Sequence, residues 1–401
     1  MKKIKTLSSA LLALLALLAL LAIDVAPAWA DDFSAAEKLE MERQEIFRTE
    51  FALIVESLNL GSFELFVAAI DQSDFLKRIY GLRLIDLNVK KSFNERAQSQ
   101  FQGLVRDAFR DSKGEIKAKI LGIESRGDRG RAVVRFDLPN FQFSYHEYDL
   151  ALDEDGRIVI IDWIDYLQGE RYTDAVGTSL VMAAPSEAAV RKLIDYKNVT
   201  QADLFQFTEL LKAARDRRTE KYVEILSGLN PELQRQSLVV LLTVQLSKMA
   251  NNRRFLRIGL MQMDEHAPEE PLFSLMLLDY YVPSQRYDKA IAALQRTYAK
   301  FGFDDAAMEA RLSAITLAKG DAADANALAE RAILMEPGLE LAWWSALRAR
   351  VAVADYAGAV VALQRLEQQH GHKLGAEQLK GDKSFSALLA SDEFKTWAAA
   401  R

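Results

Sequence analysis

The chain has 401 residues and a formal net charge of −6, half of its residues are hydrophobic, and it contains no cysteine. Without cysteine, a disulfide framework, a thiolate metal site and a lipid attached to cysteine are all excluded. Acidic residues outnumber basic ones, which argues against a nucleic-acid surface. The length exceeds that of one typical core and predicts two domains.

The first thirty residues have the three parts of an export signal. Three lysines precede an almost pure Leu and Ala run over residues 7–23, and Ala28-Trp29-Ala30 offers small residues for cleavage. We predict a signal peptide over residues 1–30, cleaved after Ala30, and a periplasmic mature chain without a membrane span; an uncleaved anchor or secretion further out are the alternatives. Removing the signal takes three lysines and one aspartate from 51 basic and 57 acidic residues, which leaves a net charge of −8.

Residues 31–167 change from helical to strand periodicity. Up to about residue 110, apolar residues recur at helical spacing and predict two or three helices. Residues 115–165 then alternate Val, Ile, Phe and Tyr with polar residues, and turn signals interrupt them. Short connections join antiparallel neighbours, so we predict an α+β domain in which helices pack on a curved antiparallel four-stranded sheet. The predicted strands are 115–125, 131–138, 141–152 and 157–165.

This element order and the closing strand GRIVIIDWID, Gly156 to Asp165, resemble the cone-shaped domains of the nuclear transport factor 2-like superfamily. The resemblance implies a pocket in which enzymes of the superfamily place an Asp or a His. His146, Tyr148 and Asp162 are the candidate pocket residues, with an acid–base pair as their chemistry. Asp162 and Asp165 have opposite strand parity, so at most one of them can face a pocket. We favour the alternative that all of these are solvent-exposed strand polars.

The second half of the chain is helical throughout and repeats a pattern of small residues. The pattern resembles the tetratricopeptide repeat, in which 34 residues form two antiparallel helices. The residues at its spacing are Gly320, Ala325, Ala332 and Pro337. Small alanines let the helices of a hairpin approach closely, and proline ends the second helix. The adjacent periods keep the register, so we predict tetratricopeptide-like repeats over 271–373.

The rest of this half is assigned around the repeats. Gly169, Gly177 and Pro185 indicate a linker over residues 168–186. We also predict divergent helical hairpins over 187–270, and a capping segment over 374–401 that covers the last hairpin, as a helical solenoid requires for solubility. Two positions depart from the family pattern: Ser313 replaces a glycine and Ala329 replaces an aromatic residue.

The repeat resemblance also implies a concave groove, lined by the first helix of each hairpin, that binds peptides or partner proteins. Because Trp343 occupies the packing position, Trp344 should point about 100° away and, beside Arg348, suits a binding hot spot. The alternative is that Trp344 packs against a neighbouring helix or the capping segment. Carried over by register, the groove positions are Leu275, Asp279, Ala310, Ala314, Trp344 and Arg348.

Several short motifs are given structural interpretations. His370 and His372 flank a glycine with no obvious carboxylate or thiolate beside them, so we predict a turn, no metal and no cofactor. Arg126-Gly127-Asp128 is what a hairpin turn demands. Thr200, in a glycosylation-like triplet, is expected to cap the next helix.

These patterns predict an exported, non-enzymatic scaffold of the bacterial cell envelope that binds a partner protein or peptide in the groove of its solenoid. The alternative is a small-molecule or enzymatic N-terminal domain, with the solenoid as its regulator or targeting module. A third hypothesis is self-assembly into homo-oligomers.

Overall fold

The computed structural model describes residues 34–81, 83–107, 109, 116–194 and 197–400. The predicted signal peptide lies outside these ranges. Within them, helices come first, a small antiparallel sheet follows, and a long series of helical hairpins completes the chain. No helix in the described part is long and apolar enough to cross a membrane.

Four helices precede the sheet in the described part of the chain, where two or three were predicted. Ser34 caps the first of them through a capping box with Glu37, and Asp71 caps the third. The extra helix arises because turns at Gly61 and Asp71 divide one apolar pattern into separate short segments. The helices are α1 (Ala35–Asn59), α2 (Glu64–Ala68), α3 (Gln72–Tyr80) and α4 (Leu87–Asp107).

The sheet has five antiparallel strands in sequence order, β1-β2-β3-β4-β5. The predicted meander of four is confirmed in order, but its strand number is wrong, because a two-residue strand pairs with the end of the fourth. Gly127, in the tight turn between the first two strands, has a φ of +61°, which glycine adopts without strain. The strands are β1 (Ala118–Arg126), β2 (Arg129–Leu138), β3 (Gln142–Leu152), β4 (Ile158–Asp165) and β5 (Glu170–Arg171).

Both faces of the sheet are buried. On β2, Ala132 and Val134 pack towards α1–α4, in one core with Trp163 of β4. The alternate residue Val133 packs on the other face, against the helical hairpins. The sheet is therefore a middle layer between two helical layers, which explains the nearly continuous apolar run in β2.

The segment predicted as a linker, 168–186, is folded. It contains β5 and helix α5 (Tyr172–Ala183). Gly177 of α5 lies so close to α3 that an added Cβ would stand 2.3 Å from the carbonyl oxygen of Ile79. The glycine that suggested flexibility is instead required for close helix packing.

Twelve further helices are described between residues 187 and 370, and from α7 onward most of them form hairpins. The tightest pairs are α12 with α13, α14 with α15, and α16 with α17. They coincide with the predicted tetratricopeptide-like repeats, so this half is a solenoid-like stack. The helices are α6 (Glu187–Leu193), α7 (Gln201–Arg215), α8 (Thr219–Gly228), α9 (Pro231–Gln234), α10 (Ser237–Met249), α11 (Arg253–His266), α12 (Pro271–Tyr281), α13 (Tyr287–Phe301), α14 (Ala306–Lys319), α15 (Ala322–Met335), α16 (Glu340–Ala352) and α17 (Tyr356–His370).

The small repeat residues lie where helices meet. Ala325, Ala329 and Ala332 are all completely buried. Ser313 donates a hydrogen bond from its hydroxyl to the carbonyl oxygen of Ala325 at 2.7 Å. The two departures from the family pattern therefore fit this structure: a serine adds a cross-helix bond where glycine is usual, and an alanine fills a closely packed site.

The C-terminal segment packs on the last hairpin. Phe385, Leu388 and Phe394 are buried in one cluster with residues of α16 and α17. Phe385 ends a short 3-10 helix (Lys383–Phe385), and Leu388 and Phe394 lie in α19 and α20. The short helices of this segment are α18 (Ala376–Leu379), α19 (Ser386–Ala390) and α20 (Asp392–Ala399).

Replacing Thr200 by Ala is expected to lower the free energy of unfolding by about 1 kcal/mol, the usual value of an N-cap. The Thr200 hydroxyl accepts a hydrogen bond from the backbone N–H of Asp203 at 3.1 Å and donates one to its carboxylate at 2.7 Å. Urea unfolding measures the change. The matched control, Thr200→Ser, keeps the hydroxyl and should stay within a few tenths of a kcal/mol; equal losses in both variants would contradict the capping role.

Candidate functional site

The outer face of the sheet fills the part of the stack where the groove was predicted. Val133, Tyr145 and Tyr166 share a buried cluster with helix residues. Gly122 of β1 is so close to the stack that an added Cβ would lie 2.2 Å from the ring of Phe303. The helix side of this cluster consists of Phe301, Ala306, Ala307, Met308, Ala310, Ala332, Leu339 and Ala342, largely from the first helices of hairpins. In this region the chain occupies its own groove.

A buried ion cluster around Arg135 of β2 holds the two layers together. Its guanidinium donates to Asp305 at 2.6 Å and to Glu336 at 2.9 Å, both in the helical stack. It also donates to Asp137 on its own strand at 2.7 Å. The Tyr145 hydroxyl donates to the second oxygen of Asp305 at 2.7 Å. The side chains of Arg135 and Asp305 are almost completely buried, 1% and 0% exposed.

Electrostatics favour the charged forms of Arg135 and Glu336 despite their burial, whereas burial raises the pKa of Asp137. Burial opposes the charge of Arg135, but Asp305, Glu336 and Asp137 outweigh it and raise the pKa of Arg135. Burial likewise tends to raise the pKa of Glu336, yet hydrogen bonds from Arg135 and Lys119 hold that pKa below its ordinary value. Arg135, Asp305 and Glu336 therefore each depend on a partner from the other layer, so separating the layers would leave buried charges unpaired.

A second cluster repeats the arrangement around Glu147 of β3. Arg131 reaches its carboxylate at 3.0 Å, the Tyr166 hydroxyl donates to it at 2.8 Å, and Lys300 of α13 donates at 3.1 Å. Burial tends to raise the pKa of Glu147, but these donors outweigh it and lower the pKa. Arg131 also donates to the backbone carbonyl oxygen of Phe301 at 2.9 Å. The junction is thus fixed by charge as well as by apolar packing.

Beside this junction lies an open cleft of about 790 Å³ between the sheet and the helices α10, α11, α12 and α14. Its cations Lys248, Arg253 and Arg311 face a single acidic residue, Asp279, so the lining is net positive. The rings of Phe143 and Tyr166 also border it but are buried, at 7% and 1% exposure. The rest of the lining is partly apolar, with Leu138, Pro139, Leu167, Met249, Leu256, Leu275 and Met276, and partly polar, with Ser247 and six amide side chains: Asn140, Gln142, Gln168, Gln245, Asn251 and Asn252.

The turn between β2 and β3 lies between this cleft and a second cavity of about 660 Å³. Asn140 and Phe141 both have left-handed backbone angles, with φ of +61° and +58°. Such a conformation is costly for a bulky residue such as phenylalanine and persists only where its surroundings hold it. Here Arg311 of α14 donates to the carbonyl oxygen of Phe141 at 3.3 Å and lies over the ring of Phe143 at 4.9 Å.

The predicted groove positions are distributed between cleft, junction and open surface. Leu275 and Asp279 line the cleft, and Leu275 also packs against the sheet cluster. Ala310 is fully buried, and its carbonyl oxygen accepts a hydrogen bond from Ser345 at 3.0 Å. A partner therefore cannot reach Ala310 while the sheet is docked. Ala314 and Arg348 are exposed on the surface away from the cleft.

Trp344 is half-buried near the segment that follows α17. Its indole N–H donates to Glu340 at 3.1 Å, and its ring meets that of His372 at a centroid distance of 5.4 Å. The same carboxylate lies 2.5 Å from His372 and 3.9 Å from His370. The sequence interpretation that these histidines lack a nearby carboxylate is therefore wrong. Even so, no group of three or more His, Cys, Asp or Glu in the described ranges has the geometry of a metal site.

The candidate pocket residues of the sheet are buried, so their interpretation as solvent-exposed strand polars is wrong. His146 and Tyr148 meet at 3.0 Å between ring nitrogen and hydroxyl. Their neighbouring carboxylate is Asp165, 3.6 Å from His146. Asp162 instead accepts the Thr173 hydroxyl at 2.6 Å, as the opposite parity of the two carboxylates requires. None of these residues lines the cleft or the second cavity.

The two carboxylates respond to their surroundings in opposite ways. Burial tends to raise the pKa of Asp165, but His146 and two backbone N–H groups outweigh it and hold the pKa below its ordinary value. Burial dominates at Asp162 and raises its pKa. His146 lies between the rings of Phe109 and Phe136, with ring centroids 5.6 and 4.5 Å away. Packed in this way, the His146 and Asp165 pair helps to build the core.

Sequence reasoning missed the residues that join the two layers. Arg135, Glu147 and Asp305 have no motif, and their partners lie far away in the chain. One local signal existed: Arg135 interrupts an apolar run on a central strand, where a charge must find a buried partner. That signal locates the charge but does not identify what pairs with it.

Comparison with known proteins finds little. No protein-family model matches the sequence, and no curated protein matches it. Similar solved structures include PilW, described as a widely conserved type IV pilus biogenesis factor, at 11% identity and a TM-score of 0.34, over 50% of this chain and 93% of that one. MamA from MSR-1 is similar at 15% identity and a TM-score of 0.32, over 43% of this chain and 98% of MamA. A mutant of MamA is similar at 14% identity and a TM-score of 0.31, over 42% and 97%.

Proposed function

We propose that the chain is an exported, non-enzymatic scaffold of the bacterial cell envelope, and that it holds an extended segment of a partner protein in the 790 Å³ cleft. The signal-like N-terminus supports export. The cleft replaces the wider groove expected from sequence, because the sheet of the same chain covers much of that groove.

The observation that carries the proposal is the lining of the cleft. Amide side chains offer both donors and acceptors, which match the alternating N–H and C=O groups of an extended peptide. Walls from two different layers let a strand-like segment be bound from both sides. The volume also falls in the range of ligand sites in proteins, roughly 300–1,000 Å³.

A sugar is a poorer match for the same cleft. Stacking on a sugar needs an exposed ring face, and the bordering rings of Phe143 and Tyr166 are buried. The three cations against one acidic residue favour a segment that carries negative charge.

Photo-crosslinking from both walls of the cleft tests the proposal. A photoreactive phenylalanine is placed at Gln142 on the sheet side or at Asp279 on the helix side; both positions are exposed and line the cleft. We expect the same partner to be captured in envelope fractions from both positions. Mass spectrometry of the adducts identifies it and maps the bound segment.

The matched control is the same reactive group at Glu224, an exposed position on α8 that does not line the cleft. No adduct with that partner is expected there. Capture from Glu224 but from neither wall, or of unrelated proteins from the two walls, would contradict binding in the cleft.

A further inference from the structure

The hairpin of α10 and α11 has a charge pattern unlike the rest of the chain. From Ser237 to Met263 there is no Asp or Glu, whereas the mature chain as a whole is predicted to be acidic. The last turn of α11 then carries Asp264, which is paired with Arg286 at 3.0 Å and Lys289 at 2.9 Å, and Glu265, which is exposed. The cations of this stretch are Lys248, Arg253, Arg254 and Arg257.

Two arginines of α11 have no ion-pair or hydrogen-bond partner among the described residues. Arg254 and Arg257 are both exposed. Ile258 and Met261 follow them at helical spacing, so these four side chains lie on one face over about two turns. This face lines neither the cleft nor the second cavity.

The same face exposes large apolar side chains. Met261 is 47% exposed and Ile258 is 40% exposed. The opposite side of α11 is packed: Phe255, Leu260 and Met263 are buried. The exposed face of α11 therefore combines two unpaired guanidinium groups with two large apolar side chains.

We propose that this outer face of α11 docks on the surface of a bilayer that contains anionic phospholipids. Guanidinium groups bind phosphate through two parallel hydrogen bonds, and no acidic residue between Ser237 and Met263 repels the headgroups. The exposed carboxylate of α11, Glu265, lies in its last turn. The methionine and isoleucine side chains enter the boundary between headgroups and acyl chains. A helix face that borders no cavity suits a flat surface better than a peptide, for which the cleft offers two walls.

Vesicle co-sedimentation tests this docking. The probe is the chain from Asp31 onward, which contains every described residue and lacks the apolar N-terminus that would bind lipid by itself. We expect binding to vesicles of phosphatidylglycerol and phosphatidylcholine, weakening as salt rises, and no binding to phosphatidylcholine alone. Each arginine near an anionic surface strengthens binding about fivefold, so Arg254→Gln with Arg257→Gln should weaken it about 25-fold.

A matched control separates docking from general charge. Arg126→Gln with Arg129→Gln makes the same charge change at two exposed arginines of the β1–β2 turn, and binding should be kept. Met261→Ser leaves the charge unchanged and should still weaken binding. A purely ionic contact would show no such loss. Absence of binding to anionic vesicles, or an equal loss in both arginine variants, overturns the proposal; in the first case an acidic protein is the occupant to test next.

Discussion

Replacing Arg135 by Met is expected to lower the free energy of unfolding by about 3–5 kcal/mol, the usual cost of removing one member of a buried ion pair. Methionine keeps much of the volume but leaves Asp305, whose side chain is fully buried, without its closest cation at 2.6 Å. Glu336 also loses its bond of 2.9 Å to the guanidinium. Urea unfolding followed by circular dichroism, together with the melting temperature, measures the loss.

An exposed arginine provides the control. Arg157 pairs with Asp153 at 3.1 Å and Asp155 at 2.8 Å, but its side chain is 68% exposed. Arg157→Met should change the free energy of unfolding by less than about 1 kcal/mol, because water screens such pairs. If Arg135→Met is as mild as Arg157→Met, the cluster does not hold the sheet against the helices.

A double-mutant cycle separates the ion pair from side-chain volume. Asp305→Asn alone should also destabilise the chain, because the carboxylate caps α14 by accepting from the N–H of Met308 at 3.2 Å and binds Tyr145 as well. The double variant contains neither the Arg135 charge nor the Asp305 charge, so neither is left unpaired. Its loss of unfolding free energy should therefore be smaller than the sum of the losses in the two single variants. Additive losses would show that the two residues do not stabilise each other.

The sequence predicts most of the local structure of this chain. Helical and strand periods depend on neighbours within a few residues, so the order of the strands and the repeat hairpins could be read directly. The same holds for Thr200 as a helix cap and for the turn at Gly127. Gly177 misled, because a glycine in a flexible linker and a glycine in a close helix contact look alike in one sequence.

The candidate site could not be read in the same way. Leu275 and Asp279 were placed in a groove by repeat register, and both line the cleft. The other wall comes from the sheet, more than 100 residues earlier in the chain, and no local period specifies that contact. In the sequence, the only sign that both faces of the sheet are buried is that the adjacent residues Val133 and Val134 are both apolar. A buried helix segment produces the same pattern.

Glu170 makes the junction sensitive to pH. It lies on β5, and the Gln245 side chain of α10 donates to its carboxylate at 3.2 Å. Burial raises the pKa of the Glu170 carboxyl from 4.5 to about 7; Asp174 and Asp165 add to this, while Gln245 and Arg83 act against it. The folded chain therefore keeps a proton on Glu170 at pH values where the unfolded chain has lost it.

The sign of the effect follows from linkage. The stability that protonated Glu170 contributes is complete below about pH 4.5 and is lost as the pH rises through about 7. Above that, the folded chain contains a partly buried carboxylate at a cost of about 3 kcal/mol, since the pKa rises by about 2.5 and one pKa unit corresponds to about 1.4 kcal/mol. Glutamine is neutral at every pH and retains an oxygen that can accept from Gln245.

Glu170→Gln should therefore stabilise the chain by about 3 kcal/mol at pH 8 and by less than about 0.5 kcal/mol at pH 4.5. The measurement is the difference in urea unfolding free energy between variant and parent at each pH, in which all other titrating groups cancel. Glu224→Gln makes the same substitution at an exposed position of α8, away from the junction, and is the control. A Glu170→Gln difference that stays constant from pH 4.5 to pH 8 would mean that the carboxylate finds enough solvent or charge at the junction to ionise normally, and that the junction is more open than its packing implies.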